Sequence, residues 1–341
     1  MPITAGYTQP VGIQQRCSPF AVWTDSVVFF PETTMNENKR KANCPPKRLD
    51  SSIQADFPAA IRQDHTGRIS AQCIRRFQRL VLSYYEANKR ELPWRKTSDP
   101  YWILVSEIML QQTQVDRVIE KYQQFIRTFP DVASLARAPF TCVLNAWLGL
   151  GYNRRAMALK RAAENVMEYF DGNVPSTEKE LLSLPGVGKY TAAAIMAFAF
   201  NQPVVVLDTN VRAVFIHHFF EGCDRVTDED IAALVCKTLD TSNPRQWYNA
   251  LMDYGAMLKK LVSNPGRRSA HYMRQSSFVG SDRQLRARIL RLLADGRGLR
   301  AQDIIRSVGE DVCRVTRILF QLERERFIVK RKGWLRIAEA V

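Results

Sequence analysis

The chain has 341 residues, a formal net charge of +15 and a hydrophobic content of 46%. Its longest apolar run, Ala192 to Phe200, is far shorter than the ~20 residues of a membrane-spanning helix, and the first residues lack the basic start and apolar stretch of a secretory signal. The composition therefore predicts a globular protein without a membrane span, and the excess positive charge favours a polyanionic partner, either nucleic acid or an anionic membrane surface.

Seven cysteines are scattered along the chain, and the nearest two, Cys223 and Cys236, lie thirteen positions apart. This spacing argues against a zinc ribbon or a compact disulfide framework. It is typical of reduced thiols, so we expect a cytoplasmic protein, associated with the nucleoid if the source is a prokaryote.

The pattern of the chain changes near residue 70. Residues 1–70 show little periodicity and contain the basic, proline-containing segment NENKRKANCPPKRLD, which predicts a disordered tail. Helical periodicity begins near Ile74, and strand-like runs are almost absent up to residue 262, which predicts an all-α domain. Helical segments are predicted at 101–128, 132–136, 140–149, 153–170, 177–183, 189–200, 209–220, 227–239 and 246–261.

The stretch SEIMLQQTQV places one carboxyl group, Glu107, in an otherwise apolar or neutral run. On a continuous helix, Gln111 and Gln114 would share its face. A solvent-exposed glutamate is the commoner arrangement, but the flanking Ile108 and Met109 count against it. We expect a carboxyl group that is hard to ionise and can donate a proton near neutral pH.

The segment LPGVGKYTAAAIMAFAF places a glycine-rich turn before an alanine-rich helix. Such a turn lets backbone amides approach an anion, and the helix start adds partial positive charge. The segment predicts a helix–hairpin–helix that grips a DNA phosphate, although an ordinary corner that binds nothing explains the turn almost equally well. The predicted phosphate-binding residues are Gly186, Val187, Gly188 and Lys189.

In VVVLDTNVRAVF, Asp208 follows four apolar residues and opens a new helix. Helix capping alone explains an aspartate at this position. Capping also favours a negative carboxylate, because amide donors and the helix dipole stabilise it. The chain thus offers one carboxyl group expected to hold its proton and one expected to be charged, a pairing often used for acid and stabiliser roles.

The last quarter of the chain carries most of the positive charge, since residues 259–280 contribute +5 and residues 282–341 contribute +7 of the total of +15. Residues 263–281 are predicted to be a basic linker. Predicted helices near 283–294, 300–308 and 311–325 and two short strands around Lys332-Gly333 indicate a winged-helix unit over 282–341.

Four segments, LPWRKTSDPYWILVSEIMLQQTQV, WLGLGYNRRA, LPGVGKYTAAA and LDTNV, follow in this order across residues 92–211. They resemble the MutY-type adenine-DNA glycosylases of the helix–hairpin–helix (HhH-GPD) base-excision superfamily. The resemblance covers residues 74–260 and implies a glycosylase domain of two helical lobes over 71–262. Its most specific part is Glu107 followed by the glutamines of QQTQV.

The resemblance implies a role for each matching residue. Glu107 would protonate a ring nitrogen of adenine, and Asp208 would support the positive sugar left when the base departs. Tyr190 stands where bifunctional relatives resembling endonuclease III carry a lysine, which implies base excision without strand cleavage. The residues implied for the base pocket and for the wedge in the duplex are Arg95, Gln111, Gln112 and Tyr152.

The sequence departs from the family pattern in three places. The family usually has four cysteines after this domain that ligate an iron–sulfur cluster, but none lies between Cys236 and Cys313. We therefore predict that the cluster is absent and that no cofactor is needed. The Nudix-like domain that reads 8-oxoguanine is also missing, with the winged-helix unit in its place, and Thr209 follows Asp208 where the family often has glycine.

Together these features predict a monomeric, monofunctional DNA glycosylase that removes adenine opposite guanine or 8-oxoguanine in mismatched duplex DNA and binds no membrane. A mismatch-specific thymine or uracil glycosylase is the alternative enzyme, because that group shares the hairpin, the aspartate and the tyrosine. A non-catalytic winged-helix DNA-binding regulator is the alternative from another class, although it would need neither carboxyl group.

Overall fold

A computed structural model describes residues 69–275 and 277–339, so the predicted tail over 1–70 lies almost wholly outside the described residues. None of the helices in these two ranges is long and apolar enough to cross a membrane. The helices of the first range are α1 (Ala71–Asn88), α2 (Pro100–Leu110), α3 (Val115–Thr128), α4 (Val132–Arg137), α5 (Phe140–Trp147), α6 (Arg154–Tyr169), α7 (Glu178–Ser183), α8 (Lys189–Phe198), α9 (Thr209–Phe219), α10 (Asp228–Thr238) and α11 (Pro244–Leu261).

Local sequence signals explain where many of these helices begin. Asp99 caps α2 by accepting the amide of Trp102, and Pro100 follows as its first residue. Thr177 caps α7 in the same way, and Asp208 caps α9. The prediction of a mostly α protein is confirmed.

The prediction of one continuous helix over 101–128 is wrong. Helix α2 ends at Leu110 and α3 begins at Val115, with a turn between them. The chain turns because Gln112 has a φ of 54°, which a right-handed helix cannot include. Gln111 and Gln114 therefore flank a loop and do not share a helix face with Glu107.

The helices form two lobes that meet at α8. Helices α2 to α8 form one lobe, in which α2 packs on α8. Helix α1 packs with α9, α10 and α11 in the other, and α11 also contacts α8. The candidate functional side chains described below lie where the two lobes meet.

The segment after α11 returns to the second lobe through a short 3₁₀ helix, Pro265–Arg268. The Arg268 guanidinium donates to the carbonyls of Ile216, Phe220 and Cys223 at the C-terminal end of α9. A backbone bridge between Val226 and Ser269 adds to this attachment. Protein hydrogen bonds thus fasten this segment to the helix that begins beside Asp208.

The C-terminal unit contains three helices and a three-stranded antiparallel sheet of order β1-β3-β2. Lys332 and Gly333 both have positive φ and join the last two strands, as a two-residue hairpin requires. The predicted helices and hairpin are present, whereas the strand β1 was not predicted; the winged-helix assignment itself stays a prediction. The elements are α12 (Asp282–Leu293), β1 (Leu299–Arg300), α13 (Ala301–Val308), α14 (Val312–Arg324), β2 (Ile328–Arg331) and β3 (Trp334–Ile337).

This unit docks on the first lobe. The rings of Phe140 and Phe327 meet edge to face at 5.8 Å, and the Asn145 amide donates to the carbonyl of Ala294 at 3.0 Å. Glu325 accepts from Arg154 of the lobe and from Arg286 of α12. The contacts place the N-terminal end of α12 near the loops that follow α2 and α5.

The packing of α11 against the start of α9 leaves no room for a side chain at Gly255. A Cβ atom there would lie 2.6 Å from the Asn210 carbonyl oxygen. We expect Gly255→Ala to lower the free energy of unfolding by more than about 2 kcal/mol, because one helix must move. Lys260→Ala, on the exposed face of the same helix, should change it by less than about 0.5 kcal/mol. Equal chemical denaturation curves for the two variants would contradict this packing.

Candidate active site

A pocket of about 210 Å³ lies between the two lobes. Its lining includes both carboxyl groups singled out in the sequence, together with Arg95 and Tyr190, which are far apart in the chain. The apolar part of the lining comes from Leu92, Trp94, Ile103, Leu110, Val115, Phe198 and Met252.

Glu107 lies in the wall of this pocket and is only 5% exposed. The pKa of its carboxyl is raised from the ordinary value of 4.5 to about 7, mainly by burial. The hydrogen bond from Tyr190 opposes this rise, and the nearby charge of Asp208 adds to it. The Tyr190 hydroxyl donates to Glu107 Oε2 at 3.1 Å. A carboxyl group with this pKa holds a proton that it can transfer at neutral pH.

Tyr190 itself is a weak acid in this position. Burial, followed by the charges of Glu107 and Asp208, raises the pKa of its phenol well above the usual 10. The phenol therefore stays protonated and acts as a hydrogen-bond donor. The neighbouring Lys189 is exposed and is not among the residues that line the pocket.

Asp208 caps α9 and presents its carboxylate to the same pocket. Its Oδ1 accepts the backbone amides of Asn210 and Val211 at 2.8 and 2.6 Å, and its Oδ2 accepts the side-chain amide of Asn210 at 2.6 Å. Donors and the helix dipole together stabilise a negative charge here. The pocket thus combines an acid that keeps its proton with a fixed anion.

Arg95 lines the pocket as predicted, but its guanidinium is engaged elsewhere. It forms two hydrogen bonds of 2.8 Å to the buried Asp253, which also binds Arg90. Burial alone would raise the pKa of the Asp253 carboxyl, but these arginines outweigh it and lower that pKa. The sequence did not identify Asp253, and no local pattern distinguishes it from a surface aspartate.

The predicted hairpin is a turn between α7 and α8. Gly186 has a φ of 82° and packs so closely on Ala158 that a Cβ would lie 2.8 Å from the alanine methyl. Val187 is buried, whereas Gly188 and Lys189 are exposed. Within residues 69–275 and 277–339, no side-chain hydrogen bond caps the start of α8, so its first amides can bind an external anion.

Gln111 joins the hairpin to the end of α2, since its side-chain amide donates to the Gly186 carbonyl and to the Thr191 hydroxyl. The next residue, Gln112, is exposed and has a φ of 54°, and Tyr152 has a φ of 47°. Such conformations are strained for residues other than glycine and persist only where their surroundings enforce them. Both predicted wedge residues therefore sit on strained, fixed loops.

Arg155 fixes the two loops together, a role that the sequence did not reveal. Its buried guanidinium donates to the carbonyls of Ile108, Met109 and Gln111 on one side and of Leu150 and Gly151 on the other. Desolvation by burial lowers the pKa of this guanidinium to about 10, so it stays charged at neutral pH.

The family model "HhH-GPD superfamily base excision DNA repair protein" matches residues 105–237. The chain is 37% identical over 234 residues to the adenine DNA glycosylase of Mycolicibacterium smegmatis, covering 63% of this chain and 79% of that protein. It is 37% identical over 193 residues to the adenine DNA glycosylase of Buchnera aphidicola, covering 55% of this chain and 54% of that protein. The chain thus spans about half the length of the Buchnera relative.

Among solved structures, a thermostable thymine-DNA glycosylase matches 54% of this chain and 86% of its own, with 28% sequence identity and a TM-score of 0.49.

The raised pKa of Glu107 predicts how stability depends on pH. The folded state binds this proton more tightly than the unfolded chain does. The stabilisation of the folded state that results is therefore complete below about pH 4.5 and is lost as the pH rises through about 7. Glu107→Gln cannot lose a proton. As the pH rises from 4.5 to 8.5, the free energy of unfolding of the unsubstituted protein should therefore fall by about 3 kcal/mol relative to that of the Glu107→Gln variant.

Denaturant titrations at both pH values measure this difference. Glu86→Gln removes a carboxyl group from the exposed face of α1 and should change the free energy of unfolding by less than about 0.5 kcal/mol at either pH. A Glu107→Gln curve parallel to that of the unsubstituted protein would show that Glu107 is already ionised throughout the range.

Proposed function

The chain belongs to the adenine DNA glycosylase family of HhH-GPD base-excision repair proteins, and from this premise we propose that it excises adenine opposite guanine or 8-oxoguanine in duplex DNA. The observation that carries the proposal is the pairing of a buried, proton-holding Glu107 with a capped, negative Asp208 in one pocket. A base inside a duplex cannot reach such a pocket, so the adenine must leave the stack.

In this proposal the glycosidic C–N bond breaks with its electron pair departing on the base. The proton of Glu107 passes to a ring nitrogen of adenine, which makes the base a better leaving group. The sugar left behind is positive, and Asp208 stabilises it electrostatically until water adds to the anomeric carbon and releases one proton to the solvent. The products are free adenine and an abasic strand.

The hairpin and the wedge loops support DNA as the partner. The uncapped amides of α8 and the exposed Lys189 form a site for one backbone phosphate. Gln112 and Tyr152 project from loops that Arg155 holds rigid, and wedging side chains offset the cost of opening the stack, which is a few kcal/mol. We propose that the chain binds mismatched duplex DNA as a monomer.

We propose further that no iron–sulfur cluster is required. The residues after α11 do not fit one, because no cysteine occurs between Cys236 and Cys313. The hydrogen bonds of Arg268 to the end of α9 fasten this segment by protein groups instead. The reaction proposed above uses two side chains of this chain and one water molecule.

The proposal is tested by single-turnover excision on duplexes containing A·8-oxoguanine, A·G, T·G and U·G. We expect release of adenine from the first two. Glu107→Gln cannot supply the proton and Asp208→Asn loses the charge, so each should slow excision by at least ~100-fold while duplex binding is largely retained. Release of thymine or uracil instead would establish the mismatch-specific alternative, and binding without any release would establish the regulator.

A second test concerns the fate of the abasic strand. A neutral phenol at residue 190 cannot form a Schiff base with the sugar, so borohydride should trap no covalent adduct with the unsubstituted protein. Tyr190→Lys should create trapping, because its amine would lie beside the sugar that Asp208 supports. Lys189→Ala is the control and should leave the absence of trapping unchanged. Efficient trapping by the unsubstituted protein would contradict the monofunctional mechanism.

A further inference from the structure

A second concave surface lies beside the wedge loops, on the side where the C-terminal unit docks. It consists of two adjoining hollows of about 400 and 450 Å³. Gln112, Tyr152 and Arg283 line both hollows and so stand between them. We call the whole surface the junction cleft, because the linker residues Gln275 and Phe278 and the helix α12 form its far wall.

The junction cleft is strongly basic. Its lining residues include six arginines and no aspartate or glutamate. The arginines are Arg117, Arg154, Arg155, Arg283, Arg286 and Arg291. Two aromatic side chains, Tyr152 and Phe278, lie among these cations. Cations interleaved with aromatic rings are the chemistry that binds a nucleic acid, through its phosphates and through the faces of its bases.

Several of these arginines already have defined structural contacts. Arg154 and Arg286 bind Glu325, and Arg155 binds the loop carbonyls described above. Arg283 has contacts of its own: it donates to the Ser277 carbonyl at 3.3 Å and it meets the predicted wedge residue Tyr152. Its guanidinium donates to the Tyr152 hydroxyl and its central carbon lies 5.1 Å from the centre of the tyrosine ring. The Gln275 amide donates to the same hydroxyl.

With Tyr152 in its proposed role as a wedge, this contact sets where Arg283 would lie relative to a bound duplex. A residue that touches the hydroxyl of a wedge lies within one side-chain length of the base step that the wedge enters. In the proposed function the excised base occupies the pocket of Glu107, which shares Thr113 with the junction cleft but none of its arginines. The base beside the wedge in the junction cleft is therefore the one left without its partner in the stack.

We propose that the junction cleft holds the purine opposite the excised adenine and that Arg283, assisted by Gln275, reads its edge. This inference rests on the proposed function, because an unpaired base arises only when its partner is extruded. Guanine presents two acceptors, O6 and N7, to which an arginine fork binds in a bidentate manner, and 8-oxoguanine carries a further carbonyl oxygen. The linker and α12 thus supply the recognition of the opposite base.

The two possible roles of Arg283, contact with a base edge or with a phosphate, predict different effects of its substitution on duplex binding. The probe is a duplex in which guanine, cytosine or no base lies opposite a tetrahydrofuran abasic analogue, which mimics the product and requires no excision. The unsubstituted protein should bind the guanine duplex about 10-fold more tightly than the cytosine duplex. Arg283→Ala and Arg283→Lys should both reduce this preference to less than about 3-fold, because lysine keeps the charge but loses the fork.

Arg297→Ala is the matched control, since it removes an arginine from an exposed turn of the same unit outside the junction cleft. It should retain the preference for guanine. A preference that survives in Arg283→Lys, or an equal weakening of all three duplexes by Arg283→Ala, would overturn the proposal in favour of a phosphate contact. Thermal unfolding of each variant verifies that it is folded, and Arg283→Lys provides the measurement if Arg283→Ala is not.

The binding experiment separates this inference from the proposed function. A protein that prefers guanine through Arg283 but releases no adenine would refute the proposed excision and leave the junction cleft assigned. A protein that releases adenine while its guanine preference does not depend on Arg283 would retain the proposed function and refute the inference.

Discussion

The proposed active site depends on the desolvation of one carboxyl group. Glu107 lies among the core residues of α2, and the loss of water around it raises its pKa to about 7. The hydrogen bond from Tyr190 limits this rise, because it stabilises the ionised form. The result is an acid that is neither permanently ionised nor too weak to give up its proton near neutral pH, which is the condition for general acid catalysis. Every element that keeps water away from α2 therefore contributes to the chemistry.

A second requirement concerns the position of Asp208. An anion can stabilise a positive sugar only if it is held at a fixed place beside it. Its carboxylate is oriented by the first amides of α9, so its position is that of the helix itself. Helix α9 is in turn held at both ends. Gly255 of α11 permits close contact near Asn210, and Arg268 binds the carbonyls at the other end. The ion pair between Arg95 and Asp253 joins the residues before α2 to α11, so the helix carrying Glu107 and the lobe carrying Asp208 are fastened to each other.

Features that depend on a few adjacent residues could be predicted from the sequence, whereas contacts between residues far apart in the chain could not. The apolar neighbours of Glu107, the capping position of Asp208, the glycine turn before α8 and the Lys332-Gly333 hairpin were all predictable, because each follows from a few adjacent residues. The break after Leu110 was not predictable. Glycine or asparagine in a sequence indicates that a positive φ is possible, whereas the glutamine found here does not. Arg155 also resembles Arg154 in sequence, yet one is buried against five carbonyls and the other is exposed beside Glu325. Only the three-dimensional arrangement distinguishes them.

The same reasoning changes the interpretation of the positive charge at the C-terminal end. The sequence showed a surplus of positive charge over residues 259–341, which favoured a polyanionic partner. In the structure Arg314 binds Asp282, Glu310 and the carbonyl of Gly280, and Arg317 also binds Asp282. These bonds tie α14 to the start of α12 and so set the position of Arg283 beside Tyr152. Part of the surplus charge therefore orders the C-terminal unit internally, and the arginines of α12 rather than those of α14 reach the loops that carry the predicted wedge residues.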